Sequence, residues 1–228
     1  MRLLAIDTAG TTGSVALGEL DSRGVQTLGH VDLAARTFAV RLIPAISTLL
    51  AERNIALADV DCIAVVHGPG SFTGMRISLS AVKGLAEATG KPVIALSRLA
   101  VMASMLPQAE AVHAVLDAGR DEFYLGHYLD GGWQCVQESL ETADTLREHL
   151  ADGAACVVAE DGVFAAISAQ APTTLVRPSA VDTFPLALRH WQQQQFADVS
   201  TLDANYLRRS DVELFARSKQ SAALSPTV

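Results

Sequence analysis

Charge is scarce in this sequence. Of its 228 residues only 18% are Asp, Glu, Lys or Arg, against about 25% in ordinary soluble domains. No block of Lys or Arg occurs and the net charge is −8. A free-standing nucleic-acid binder carries a basic face, so tight unaided binding of RNA or DNA is not expected. No apolar run approaches the ~18 residues of a membrane span. Residues 1–7 place only Leu3, Leu4, Ala5 and Ile6 before a carboxylate, too little for a signal-peptide core. A cytoplasmic, membrane-free protein is expected. Cys62, Cys135 and Cys156 are far apart and form no Cys-x-x-Cys pair. They read as buried free thiols of a reducing compartment. The six histidines, His30, His67, His113, His127, His149 and His190, are all more than ten residues apart. The helical i, i+4 pair that holds a metal on one face is therefore absent, and no metal is expected. No glycine-rich loop is followed by Gly-Lys-Ser/Thr, which excludes a Walker-type phosphate site.

What is present is apolar: 50% of residues are hydrophobic. That excludes a largely disordered chain, and a chain of this length can bury about 70% of its extended surface. Periodicity predicts strands over 3–7, 14–20 and 25–33, then helical spacing in Ala39, Leu42, Ile43, Ile46, Leu49 and Leu50. Pro44 inside that pattern predicts a helix start or a kink. A continuous apolar strand over 62–66 follows, of the kind buried on both faces of a parallel sheet. Then come a helix over 73–89 stopped by Gly90, a strand over 93–96, and a helix over 98–106 capped by Ser97. From residue 112 the pattern restarts. Strands are predicted over 112–117, 123–129 and 133–138, a helix over 142–150, a strand over 156–159, a helix over 162–170, a strand over 174–176 and a helix over 182–195. A charged helix over 206–219 and a frayed tail over 218–228 close the chain. Both halves read strand, strand, strand, helix, strand, helix, strand, helix. The expected architecture is a duplicated α/β protein with an N-terminal lobe over 1–106 and a C-terminal lobe over 107–228. Each lobe has a mixed sheet flanked by helices. Trp133 and Trp191 read as core or lobe-packing residues.

Asp7 and Asp117 stand at the same place in each half, the end of the first strand before a Gly-containing turn. In Asp7-Thr8-Ala9-Gly10-Thr11-Thr12, turn amides and hydroxyls suit phosphate oxygens and the carboxylate suits a metal or water. The pair of loops resembles the phosphate loops of the actin, Hsp70 and sugar-kinase superfamily, a ribonuclease H-like fold. The resemblance marks Asp7, Thr8, Gly10, Thr11 and Asp117 as vestigial phosphate contacts. The Gly-rich adenosine stretch of that superfamily is missing, and Asp161-Gly162 is its only remnant. No cofactor is therefore expected beyond weak or vestigial nucleotide binding. A small-molecule kinase or ATPase of the same fold is the alternative reading.

His67-Gly68-Pro69-Gly70-Ser71-Phe72-Thr73-Gly74-Met75-Arg76-Ile77 joins a buried strand to a helix. Gly68 and Gly70 permit backbone geometry closed to other residues, Pro69 fixes one torsion, and Ser71 caps the helix. The motif loop is Gly68, Pro69, Gly70, Ser71, Thr73, Gly74 and Arg76. Composition alone reads it as a rigid strand-to-helix turn. Together with 4–8, 14–17, 42–44, Asp117-x-x-Arg120-x-Glu122-x-Tyr124 and 206–211 it resembles the TsaB, or YeaZ-type, family. The resemblance implies a required, non-catalytic partner of TsaD, working with the ATPase TsaE. That complex transfers a threonylcarbamoyl group to the adenosine next to the anticodon of tRNAs reading codons that start with A. It implies a heterodimer with TsaD and tRNA contact only through the complex, and leaves a homodimer of the free chain open. The chain departs from the family at Arg36-Thr37-Phe38, where a His-Ser or His-Thr pair is common, and at Asp117-Ala118-Gly119-Arg120, where Asp-Ala-Arg-Arg is usual. A glycoprotease-like peptidase using Ser71, His67 and Asp117 is a remote reading, since nothing in their spacing selects them.

The helix after the motif carries two apolar stripes. Met75, Leu79, Val82 and Ala86 form one, and Ile77, Ala81, Gly84 and Ala88 form a second of smaller residues. A helix on one sheet needs a single apolar face. The neighbouring helix covers the second stripe, or both helices meet another subunit. The low charge and the resemblance favour the latter, with Leu42, Ile46, Phe72, Met75, Ile77, Ala81, Gly84 and Ala88 as the partner-binding set.

Overall fold

The computed structural model describes residues 1–21 and 24–207. The helix expected over 206–219 and the tail after it lie outside the described residues, save Tyr206 and Leu207. Along the chain run β1 (Arg2–Asp7), β2 (Gly13–Asp21), β3 (Gly24–Leu33), α1 (Phe38–Glu52), β4 (Cys62–Gly68), α2 (Phe72–Thr89), β5 (Val93–Ser97) and α3 (Arg98–Ser104). The second half repeats them as β6 (Ala111–Gly119), β7 (Glu122–Leu129), β8 (Gln134–Thr142), α4 (Ala143–Leu150), β9 (Ala155–Val158), α5 (Asp161–Ile167), β10 (Thr173–Leu175) and α6 (Phe184–Gln192). The two sheets have orders β3-β2-β1-β4-β5 and β8-β7-β6-β9-β10. Every strand of one half has its counterpart at the same place in the other. In each sheet the first strand pairs antiparallel with the second and parallel with the fourth. This is the duplicated two-lobed α/β architecture expected from the repeat, with mixed sheets and flanking helices.

Local chemistry sets the element ends. Ser71 caps α2, its hydroxyl accepting from the Gly74 amide at 3.2 Å. Gly90 closes it in the left-handed region with φ +66°. Thr142 and Thr145 form a reciprocal cap on α4. Pro44 neither starts nor ends α1, which runs through it. The carbonyl that Pro44 leaves free belongs to Val40, on the exposed side of the helix. Ser97 precedes α3 without a side-chain cap, because its hydroxyl is used elsewhere.

Alternation along β6 splits the second lobe into two layers. Val112, Ala114 and Leu116 face one core, while Val115 faces the other with Leu125, Leu146 and Leu150. The helices are exchanged between halves. Leu99, Met102 and Ala103 of α3 pack in the second lobe, whereas Phe184, Leu186 and Ala187 of α6 pack in the first. Gly18 of β2 makes room for the Phe184 ring, which would lie 2.7 Å from a Cβ there. Trp133 and Trp191 are half-buried against the first-lobe core. Cys62 and Cys156 are buried and burial pushes both thiols up to about 12. Cys135 is exposed, contrary to expectation. It lies on β8, the edge strand of its sheet, whose neighbouring residues Gln134, Val136 and Gln137 are exposed too.

Candidate functional site

The two strand-end carboxylates make the same turn. Asp7 Oδ1 accepts the Ala9 amide at 2.8 Å, and Asp117 Oδ1 accepts the Gly119 amide at 2.6 Å. Between the lobes lies a cleft of about 540 Å³, bounded by Gly10, Thr11, Ser71, Arg98, Asp117 and Glu160 among others. Asp7 sits beneath it, only 2% exposed. Burial pushes its carboxyl above the ordinary range, opposed by the Arg98 guanidinium. Burial also raises the Glu160 carboxyl, again opposed by Arg98.

The glycine-rich motif is clamped onto the first turn. Thr8 is fully buried and its hydroxyl donates to the Gly74 carbonyl at 2.7 Å. The Ser71 amide and Arg98 Nη1 both donate to the Ala9 carbonyl, at 2.8 and 2.7 Å. A Cβ on Gly74 would collide with the Thr8 carbonyl oxygen, and one on Gly70 with the Ala9 carbonyl oxygen. These contacts explain the two glycines: backbone approaches backbone, and Gly70 adopts φ +153°. Thr73 lines the cleft, and Gly68 and Pro69 carry the chain from β4 into the loop. Ser71 and His67 are each engaged elsewhere. The Ser71 hydroxyl caps α2, and His67 Nδ1 donates to the Asp203 carbonyl at 3.3 Å.

Arg98 was not legible as a site residue. It is 8% exposed, and its Nη2 would lie 2.9 Å from a Cβ on Gly10. The guanidinium therefore covers the turn that follows Asp7, and its Nε has no hydrogen-bond partner. Beside it a second compartment runs past Thr12, Asp161, Gly162 and Arg177. There Arg177 Nη2 donates to both carboxylate oxygens of Asp161, at 2.9 and 3.0 Å. Gly162 lies in the first turn of α5 with open space at its Cβ position.

The partner-binding set divides. Leu42, Ile46 and Met75 are buried in the first-lobe core and present no surface. The periodicity that selected them is that of the sheet-facing stripe. The rest face outward: Phe72 is 52% exposed, Ile77 and Ala81 are half-buried, and Gly84 and Ala88 are exposed. A groove between α1 and α2 runs past Ala39, Ile43, Phe72, Arg76, Ile77 and Ala81. Thus α1 flanks the second stripe near Ile77 and leaves Gly84 open, with nothing within 4 Å of its Cβ position. Val40, 70% exposed, and the exposed Ile43 extend this apolar face. Ile43 belongs to the apolar spacing of α1, but nothing in that spacing separates it from the buried Leu42. Arg76 lies 3.9 Å over the Phe72 ring and donates from Nε to the Tyr206 hydroxyl at 3.2 Å. The Tyr206 and Phe72 rings are 5.6 Å apart.

Glu138 was also invisible in the sequence. Its Oε1 accepts from the Ser97 and Tyr128 hydroxyls, and its Oε2 accepts from Asn205 Nδ2 at 2.9 Å. One carboxylate thereby ties β5, β7 and the C-terminal segment together.

A duplicated frame with one turn-bound carboxylate at the end of each first strand, closing on a cleft, defines an actin-like two-lobed protein. Residues 31–212 match the family model described as TsaD: tRNA N6-adenosine threonylcarbamoyltransferase. A Pseudomonas aeruginosa structure described as an uncharacterized protein with similarity to peptidase YEAZ superposes with TM-score 0.75 at 32% identity, covering 91% of this chain and 99% of that one. YeaZ from Pseudomonas aeruginosa superposes with TM-score 0.73 at 30% identity, covering 90% and 99%. The chain belongs to the TsaB, or YeaZ-type, family within the TsaD-type proteins. The Haemophilus influenzae tRNA threonylcarbamoyladenosine biosynthesis protein TsaB is 42% identical over 133 residues, 57% of this chain and 54% of that protein. The chain thus spans about half the length of the curated relatives it matches. Among the described residues no helix is long and apolar enough to cross a membrane.

Proposed function

We propose that this protein is a non-catalytic subunit that docks on a TsaD-type threonylcarbamoyltransferase through the α1–α2 face. The assembly, with the ATPase TsaE, would attach a threonylcarbamoyl group to the adenosine next to the anticodon of tRNAs reading codons that start with A. The observation that carries this reading is the outward apolar face of Val40, Ile43, Phe72 and the Ile77–Ala81–Gly84–Ala88 stripe. A contiguous apolar patch of this kind marks an interaction surface, and its small residues admit a helix at close range. In this reading the cleft is a remnant: Arg98 fills the phosphate turn and carboxylates from both lobes surround it, so nucleotide binds weakly if at all. The net charge of −8 leaves tRNA to be held by the assembled complex. The same face serves self-association when the partner is absent. The assembly works in the cytoplasm.

The test is co-expression with the TsaD of the same organism, followed by size-exclusion chromatography, for the natural chain and for Gly84→Leu. Co-elution is expected for the natural chain. Because Gly84 is exposed and uncontacted, the variant keeps or slightly raises its melting temperature but loses affinity by at least about tenfold, the equivalent of 1.4 kcal/mol. Surviving association in Gly84→Leu, or a melt lowered by many degrees, places the partner on another face.

A further inference from the structure

A second cluster of chemistry-bearing side chains lies far from the cleft and from the helical face. His113 of β6 and His127 of β7 are paired across the antiparallel ladder, and Asp152 follows the end of α4. His113 precedes the cleft carboxylate Asp117 by four residues, about 13 Å along the strand. Its ring is 1% exposed and its Nε2 donates to Asp152 Oδ2 at 2.9 Å. Its Nδ1 is buried with no hydrogen-bond partner. The His127 ring stands edge-on to it, with centroids 4.7 Å apart. One nitrogen from each imidazole and one oxygen from Asp152 lie within 4.8 Å of one another.

We propose that His113, His127 and Asp152 form a binding site for a single divalent transition-metal cation, Zn²⁺ by ligand type. Two imidazoles and a carboxylate are a common three-ligand set for zinc, with the fourth position left to water. The expectation of no metal rested on the absence of a Cys-x-x-Cys pair and of histidines sharing a helix face; here the ligands converge by strand pairing, which spacing along the chain does not reveal. Ligands around tetrahedral zinc stand roughly 3.3 Å apart, given bond lengths near 2.0–2.1 Å. The cluster must therefore close by about 1.5 Å at its widest. Asp152 Oδ2 already lies 2.9 Å from His113 Nε2, so the remaining distance is closed at the half-buried His127 side chain, with the exposed Asp152 turn free to adjust. Loading at Nε2 takes the lone pair of the Nδ1–H tautomer, so the proton that Nε2 now gives to Asp152 moves to Nδ1 and the ring stays neutral. The cation would tie β6, β7 and the end of α4 at one point on the outer side of the second lobe.

The test is calorimetric titration of the chelator-treated full chain with Zn²⁺ alone at neutral pH. The natural protein is expected to bind one equivalent. His127→Gln and Asp152→Asn should each weaken binding at least about tenfold, the scale of losses at metal sites. His30→Gln, at another surface His–Asp pair, and Cys135→Ser, at the exposed thiol, should leave it unchanged. Circular dichroism confirms that each variant is folded; should His127→Gln fail, the turn variant Asp152→Asn decides. Loading with Co²⁺ should give the visible bands of a low-coordinate site, lost in the same variants. No saturable binding, or binding that survives Asp152→Asn and any folded His127 variant, overturns the site.

Discussion

Asp7 ends β1 almost fully buried, hydrogen-bonded to the Ala9 amide and facing the Arg98 guanidinium. Removal from water disfavours its charged form more than these partners favour it, so the folded carboxyl sits above the ordinary 3.8. A raised carboxyl means the folded chain holds its proton longer than the unfolded chain does. Stability therefore falls as pH rises from about 3.9 through the folded value, and stays reduced above it. Asp7→Asn keeps an acceptor for the Ala9 amide and removes the charge. Its melting temperature at neutral pH is expected to match or exceed the natural one by a few degrees, on the order of 1 kcal/mol. The slope of stability against pH just above 4 should flatten. Thermal melts across that range check this, and a clear loss at neutral pH would mean that the Arg98 attraction outweighs burial. Asp7 and Asp117 could be found in the sequence because a strand end and a Gly turn flank both. Arg98 and Glu138 could not, since a lone charge beside a strand reads as solvated until distant elements close over it.

Two glycines of α2 make opposite demands. At Gly74 a side chain would strike the Thr8 carbonyl, which is backbone and cannot step aside cheaply. Gly74→Ala should cost about 1–3 kcal/mol or more, the scale of overpacking, and disrupt the Thr8 bond. At Gly84 nothing stands within 4 Å, and Gly84→Ala should gain up to about 1 kcal/mol from helix propensity. Urea melts of the two variants should move in opposite directions; a shared direction would contradict the docking of the motif on the first turn. The inward stripe of α2 was legible because Met75, Leu79, Val82 and Ala86 repeat at helical gaps, and all four are buried. In α1, apolar residues surround more of the helix, so spacing alone did not separate the buried Leu42 and Ile46 from the exposed Val40 and Ile43. Strand β8 runs to Thr142, beyond the expected end at 138. Glu138, Ser139 and Glu141 hide its last residues, yet pairing with Gly126, Leu125 and Phe123 holds them in the sheet.

Across the whole molecule, Glu138 joins the end of β5, the Tyr128 hydroxyl and Asn205. Burial and the neighbouring carboxylate push the Tyr128 phenol far above its ordinary value, so it remains a donor. Glu138→Ala leaves that buried hydroxyl without its acceptor. A loss of about 1–3 kcal/mol is expected, seen as a melting temperature lower by several degrees; an unchanged melt would show that the three segments are held together without it. The duplication was legible because element order repeats, and the sheet orders repeat with it. The exchange of α3 and α6 was not, because amphipathic spacing tells a helix that it must pack but not on which sheet. That exchange governs when the protein is finished. A ribosome delivers the whole first sheet well before Phe184, the ring that fills the space above Gly18. Until then the first lobe is translated but incomplete, with one side of its sheet waiting for a helix still to be made. The outward apolar face of α1 and α2 therefore rests on a lobe that is complete only once α6 has been made, and a chain released before α6 would display that face on an unfinished support.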